Sequence, residues 1–239
     1  MSSESPDNVA PGCDYPLNAS APKANRDVTQ WVDRVTKLLT PDRALMLRYY
    51  RGTQVYMASH PDVRACFRGK ERPTEFGDKV WDMTLRLMAY LEDKPVKSIL
   101  EIGCGWGLLG IHLARVHQAA VLCSDVDRKL EPIVLKHAEL NGVDLSFSSI
   151  GLADLPDEAL DVDLIVGSEI CYCEELKVEL CALVERAKEA GARRFMIADP
   201  GRPDFEGLCD FCREKFDTDL IDIRLEGETK PSWILSVQL

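Results

Sequence analysis

The residues of this chain that could do chemistry cluster in Glu101-Ile102-Gly103-Cys104-Gly105-Trp106-Gly107-Leu108-Leu109-Gly110, with Asp125 a short way beyond. An acid in a short apolar run, then alternate glycines, then a helical pattern describe a buried parallel strand, a tight turn and a helix N-terminus. Glycine suits that turn because it visits positive φ and lets a ligand approach the backbone. The free N–H groups of the helix favour electron-rich ligand atoms. This is the chemistry of a nucleotide-type ligand. Gly105, Gly107 and Gly110 satisfy G-x-G-x-x-G, and Asp125 lies 18 residues after Gly107, near the spacing of a ribose-binding acid in a dinucleotide site. A pyrophosphate, however, gains nothing from the Glu101 carboxylate on the strand before the turn. A ligand carrying positive charge does. A glycine turn with no ligand is the remaining alternative.

The elements that must position these residues alternate cleanly from Pro95 onward. Strand patterns occur at Ser98–Ile102, Ala120–Ser124, Leu145–Ser149, Asp163–Gly167 and Arg194–Ala198, with helical patterns at Leu108–Val116, Leu130–Asn141 and Glu174–Ala190. Such alternation implies an α/β fold with a parallel sheet and right-handed crossovers. After a helix near Asp204–Phe216 come two more strands, Leu220–Leu225 and Trp233–Gln238. Their connection, Glu226–Ser232, is too short for a crossover helix and predicts an antiparallel hairpin. Residues 95–239 are therefore expected to form the domain that carries the ligand site. Residues 1–25 read as a disordered tail and 26–94 as an N-terminal helical extension. In that extension, helical patterns run from Val28 to Leu39, from Pro41 through Tyr50 and from about Asp78 to Glu92, around an irregular stretch, Gly52–Gly77.

Composition narrows the partners. With 29 Lys+Arg against 40 Asp+Glu the formal charge is −11, a poor basis for binding nucleic acid. No basic region followed by an apolar run opens the sequence, and no stretch approaches 18 apolar residues, so neither a secretory signal nor a membrane span is expected. Nine cysteines, an odd number, read as free thiols in a reducing cytoplasmic setting. Cys209 and Cys212 form a C-x-x-C, but the surrounding pattern (Phe205, Leu208, Phe216) puts both on one apolar helix face. His60, His112, His117 and His137 show no i,i+4 pair. No metal is expected.

Several segments resemble one family. Glu101-x-Gly103-x-Gly105-x-Gly107 looks like the first motif of class I S-adenosyl-L-methionine methyltransferases, whose ligand carries an ammonium and a positive sulfur. Phe76-Gly77-Asp78-Lys79-Val80-Trp81-Asp82, with Ala89-Tyr90-Leu91-Glu92, looks like the helix entrance of the lysine-methyltransferase family 16 (nicotinamide N-methyltransferase-like) group. Cys123-Ser124-Asp125, Asp163–Tyr172 with its acid-x-x-Tyr ending, and Asp199-Pro200-Gly201-Arg202 match further segments of that group. The resemblance implies a Rossmann-like seven-stranded sheet closed by a C-terminal antiparallel hairpin. It implies cofactor contacts from Trp81, Glu101, Gly103, Cys104, Gly105, Gly107, Asp125 (to the ribose) and Ser168, with Ile150 standing where the family often has a tryptophan against the adenine. Glu169 takes the place of the usual Asp, one methylene longer.

Methyl transfer from a sulfonium needs orientation more than chemical assistance. Glu169 and Tyr172 are the candidate catalytic pair, a carboxylate to steer an ammonium acceptor beside a phenol. The acceptor cleft is expected from Gly52–Gly77 and the loop after Tyr172. The family implies a protein side chain as acceptor, lysine first. A small cationic or heterocyclic metabolite is the alternative, and an NAD(P)-dependent oxidoreductase or a non-catalytic cofactor-binding module the distant ones. The oxidoreductase is disfavoured by the hairpin and the missing second lobe.

Overall fold

A computed structural model describes residues 40–67, 80–224 and 227–239. The tail, the Val28–Leu39 helix and Phe76–Lys79 of the entrance motif lie outside the described residues.

The description begins with a three-stranded antiparallel meander: β1 (Thr40–Asp42), β2 (Leu47–Tyr50) and β3 (Thr53–Tyr56), followed by a short helix α1 (Pro61–Cys66). This corrects the expectation of a helix from Pro41 through Tyr50. Leu47 and Tyr50 are both buried at i,i+3 spacing, which imitates a helical face. Arg51 and Gly52 instead adopt φ of 46° and 83°, the left-handed pair that closes a two-residue hairpin between Tyr50 and Thr53. The meander is fastened to the main domain by side chains from two helices, α3 (Leu108–His117) and α4 (Glu131–Asn141). His112 Nδ1 bonds Thr53 Oγ1 at 2.8 Å, Tyr56 N–H donates to His137 Nε2 at 3.1 Å, and Asn141 bonds both the N–H and the carbonyl of Gln54. Burial holds His112 down to about 3 and His137 to about 4, so both rings are neutral at physiological pH. The histidines are structural joints.

The main sheet contains β4 (Ser98–Ile102), β5 (Ala120–Asp125), β6 (Ser146–Ser149), β7 (Leu164–Ser168), β8 (Arg194–Asp199), β9 (Asp217–Asp222) and β10 (Trp233–Gln238). Its order is β6-β5-β4-β7-β8-β10-β9; the first five are parallel, and β10 lies antiparallel to both β8 and β9. Alternation along β4 splits the core between the faces. Ile99 packs with residues of α2 (Asp82–Leu91), α3 and α4, whereas Leu100 and Ile102 pack with α5 (Glu174–Ala190) and α6 (Pro203–Lys215). Cys209 and Cys212 are buried on the inner face of α6, and burial first of all pushes both thiols up to about 12. The chain runs outward from β4 through β5 to β6, then returns to β7 on β4's other side. The carboxyl ends of β4 and β7 thus flank the topological switch point, where open α/β sheets place their ligands. Among the described residues no helix is long and apolar enough to cross a membrane.

Candidate active site

A cleft of about 430 Å³ opens at that switch point, in the size range of a small-molecule site, roughly 300–1,000 Å³. Of the expected cofactor contacts, Trp81, Glu101, Gly103, Cys104, Gly105, Asp125, Ile150 and Ser168 line it, as do Glu169 and Tyr172. Gly107 does not. It sits at φ 69° as the N-cap of α3, and its part is to reverse the chain into that helix.

Each contact has a local cause. β4 carries Glu101 on its α3-facing side, 4% exposed, where Oε2 accepts the Gly110 N–H at 2.8 Å and the Cys123 thiol at 3.4 Å. Gly110 must be glycine for this: a Cβ there would stand 2.6 Å from that same oxygen. The last glycine of G-x-G-x-x-G therefore seats a carboxylate. Burial pushes the Glu101 carboxyl up to about 7; the Gly110 and Cys123 bonds oppose the rise and the Asp125 charge adds to it. Between the ordinary value of 4.5 and about 7, the folded chain keeps a proton that the unfolded chain has lost. Stability therefore falls as pH rises through that window and is flat above it. Glu101→Gln keeps an acceptor for Gly110 and removes the titration. Relative to Glu101→Gln, the wild type should lose on the order of 3 kcal/mol of unfolding free energy between pH 4.5 and 8. Denaturant unfolding across that range checks it, and parallel curves would refute it.

Asp125, at the end of β5, accepts the Gly105 N–H on Oδ2 and the Asp127 N–H on Oδ1, both at 3.0 Å. It thereby ties the glycine turn to the neighbouring strand. It is Asp127 that caps the next turn, accepting from Lys129 N–H. A Cβ on Gly105 would meet nothing within 4 Å, so this stretch of backbone is open to a bound molecule. Apolar Ile150, Leu152 and Val126 line the cleft beyond Asp125; Val126 is 75% exposed at the rim. Among the described residues, the lining holds four acids (Glu101, Asp125, Asp127 and Glu169) and no Lys, Arg or His. Such a lining repels a pyrophosphate and fits a nucleoside with positive charge.

Glu169, expected as a carboxylate that steers the acceptor, is itself held on several sides. It follows β7 with φ 57°, a left-handed conformation that costs a non-glycine residue about 1–3 kcal/mol and persists only where surroundings impose it. Here they do. Its N–H donates to the Ala198 carbonyl at 2.8 Å, and its Oε1 accepts the Met83 N–H at the start of α2 at 3.2 Å. Its Oε2 pairs with Arg202 Nη2 at 2.9 Å, while Arg202 Nη1 holds Asp199 Oδ2 at 2.7 Å. Asp199 is fully buried, and its Oδ1 takes the Gly201 and Arg202 N–H groups. One guanidinium thus bridges two carboxylates from adjacent strand ends. Sequence reasoning assigned Arg202 no role, although an opposite charge three residues from Asp199 at a strand end was a usable signal. Tyr172 stands at the rim, 47% exposed. Of Gly52–Gly77, expected to shape the acceptor cleft, the described part, residues 52–67, does not line this cleft, and residues 68–77 lie outside the described residues.

Comparison with known proteins agrees with this geometry. Electron transfer flavoprotein beta subunit lysine methyltransferase of Rattus norvegicus is 30% identical over 131 residues, 53% of this chain and 51% of that protein. Histidine protein methyltransferase 1 homolog of Mus musculus is 33% identical over 122 residues, 48% of this chain and 33% of that protein. The chain spans about half, or less, of the length of the curated relatives it matches. Among solved structures, the N-methyltransferase NodS from Bradyrhizobium japonicum in complex with S-adenosyl-l-homocysteine superposes with a TM-score of 0.52 at 16% identity, covering 65% of this chain and 83% of that one. The ribosomal protein L11 methylase of Lactobacillus delbrueckii gives 0.50 at 21% identity, covering 66% and 78%. These structures share the fold, that of class I methyltransferases. The family described as lysine methyltransferase matches residues 68–204, more than half of the 239, and the chain belongs to that family.

Proposed function

We propose that the protein transfers a methyl group from S-adenosylmethionine to a side-chain nitrogen of another protein, lysine first. One observation carries the choice of donor: a nucleotide-sized cleft at the switch point whose lining holds four carboxylates and no basic residue among those described. The residues present fit that cofactor. Asp125 stands at the strand end where a ribose diol would take its remaining lone pairs, Gly105 leaves the backbone open, and Ile150 and Leu152 offer an apolar wall for a base. Glu101 and Trp81 line the same space and suit its cationic part. When bound, the cofactor supplies an already activated methyl, so the protein's task is alignment. Glu169, held by Arg202 and the start of α2, and Tyr172 at the rim would orient an amine that has lost its proton. The protein acceptor is favoured by the family and by the two relatives. Eight described cysteines are free thiols, which suits the reducing cytoplasm.

The test is transfer of radiolabelled methyl from S-adenosylmethionine into a cell lysate by the purified protein. Label is expected in the protein fraction, in methyl-lysine after hydrolysis. Label confined to small molecules would replace the protein acceptor with a metabolite; no label with no cofactor binding would remove the methyl-transfer reading.

A further inference from the structure

Beside the cofactor cleft lies a second one, of about 680 Å³, and the two share Val80, Trp81 and Glu169. We propose that this second cleft takes the lysine-bearing segment of the acceptor, and that the Arg86–Glu228 ion pair is the latch that positions its outer wall. The inference rests on the methyl-transfer reading above. The shared residues form the junction through which a side chain in one cleft would reach a ligand in the other. The inner wall is the first turn of α2; the outer wall is the β9–β10 connection, Gly227 to Ser232. Gly227, Thr229 and Lys230 are exposed along the rim, so the cleft is an open groove. An open groove suits an extended chain that inserts one side chain. Exposed Asp82 and half-buried Glu169 both line it and supply negative charge for a lysine ammonium.

The connection has a specific anchor. Arg86, 8% exposed on α2, forks onto both oxygens of Glu228 at 2.6 and 2.7 Å, and the same guanidinium donates to the Ile223 carbonyl at 3.1 Å. Bidentate pairing fixes direction as well as distance, so the loop is set at one separation from α2. A preset wall spares the acceptor the cost of ordering it. Arg86 and Glu228 are positioning residues.

The test uses a bisubstrate conjugate: the S-adenosylhomocysteine skeleton with nitrogen for sulfur, joined through that nitrogen to the lysine side chain of an acetyl-Ala-Lys-Ala amide. A propyl conjugate serves as control. Calorimetry should show the lysyl conjugate binding at least about tenfold more tightly than the propyl one. Glu228→Ala, on an exposed loop, and Arg86→Lys, which keeps the charge but not the fork, should each erase most of that advantage. Both should leave S-adenosylhomocysteine affinity unchanged. An advantage that survives in both variants, or is missing in the wild type, overturns the inference. Failure of S-adenosylhomocysteine itself to bind would instead strike the methyl-transfer reading.

Discussion

Asp125→Ala should weaken S-adenosylmethionine and S-adenosylhomocysteine by about 10- to 150-fold, the equivalent of about 1.5–3 kcal/mol for a charge-assisted hydrogen bond. Two effects act together. The variant removes the acceptor for a ribose diol, and it frees the Gly105 N–H that Asp125 draws toward β5 at 3.0 Å. Asp125→Asn separates them, since its amide oxygen still accepts one backbone N–H while the charge is gone. We expect Asn to recover part of the affinity that Ala loses. The ligand-free fold should survive both changes with a melting temperature lower by only a few degrees, because the two partly exposed hydrogen bonds that Asp125 accepts are about 1 kcal/mol each. Calorimetric titration beside thermal unfolding measures both quantities. A dissociation constant unchanged in Asp125→Ala would reduce Asp125 to a fastener of the glycine turn.

How much of this was legible in the sequence depends on how local each cause is. β4, the turn after it and α3 were readable because Ile99 to Ile102 and the glycines each express one local requirement. The antiparallel end of the sheet was readable from the brevity of Glu226–Ser232. The insertion of β10 between β8 and β9 is a long-range pairing that no local pattern encodes. The meander was misread because Leu47 and Tyr50 are spaced like a helix, while the deciding turn, Arg51-Gly52, is not the usual Asn-Gly pair. Its anchors, His112 and His137, had no role in the sequence reading, because their partners on β3 lie far away along the chain. At the site, Glu101, the glycines and Asp125 were legible from motif spacing and Glu169 from its place at a strand end, whereas Trp81, Ile150 and Ser168 came only from the family resemblance. Gly110's dependence on Glu101, and Arg202's hold on Glu169, are contacts across 9 and 33 positions of chain that spacing alone does not disclose.

That hold changes what Glu169→Gln should do. Glu169, Arg202 and Asp199 carry a combined charge of one negative unit, with Arg202 shared between the carboxylates. Converting Glu169 to Gln leaves Arg202 balanced by Asp199 alone, and the amide can still accept from Met83 or Arg202. The scaffold is kept and the field felt by a cationic acceptor is lost. Turnover in single-turnover methyl transfer should fall at least about tenfold, about 1.4 kcal/mol of transition-state stabilisation, with cofactor affinity nearly intact. Arg202→Lys tests the same trio from the other side. Its single ammonium cannot fork onto both carboxylates, so Glu169 is released although the charge is retained. It should lose rate to a similar extent, and the double variant should be little worse than either, because both act through one group. Arg202→Gln is a poorer probe, since it leaves two carboxylates facing each other. Breaking a fully buried pair costs about 3–5 kcal/mol, and partial exposure of Arg202 lowers that without removing it. Full activity in Glu169→Gln would mean that this carboxylate does not hold the acceptor. Additive losses in the double variant would mean that Arg202 meets the substrate directly, with the Glu169 contact only a consequence of where its guanidinium lies.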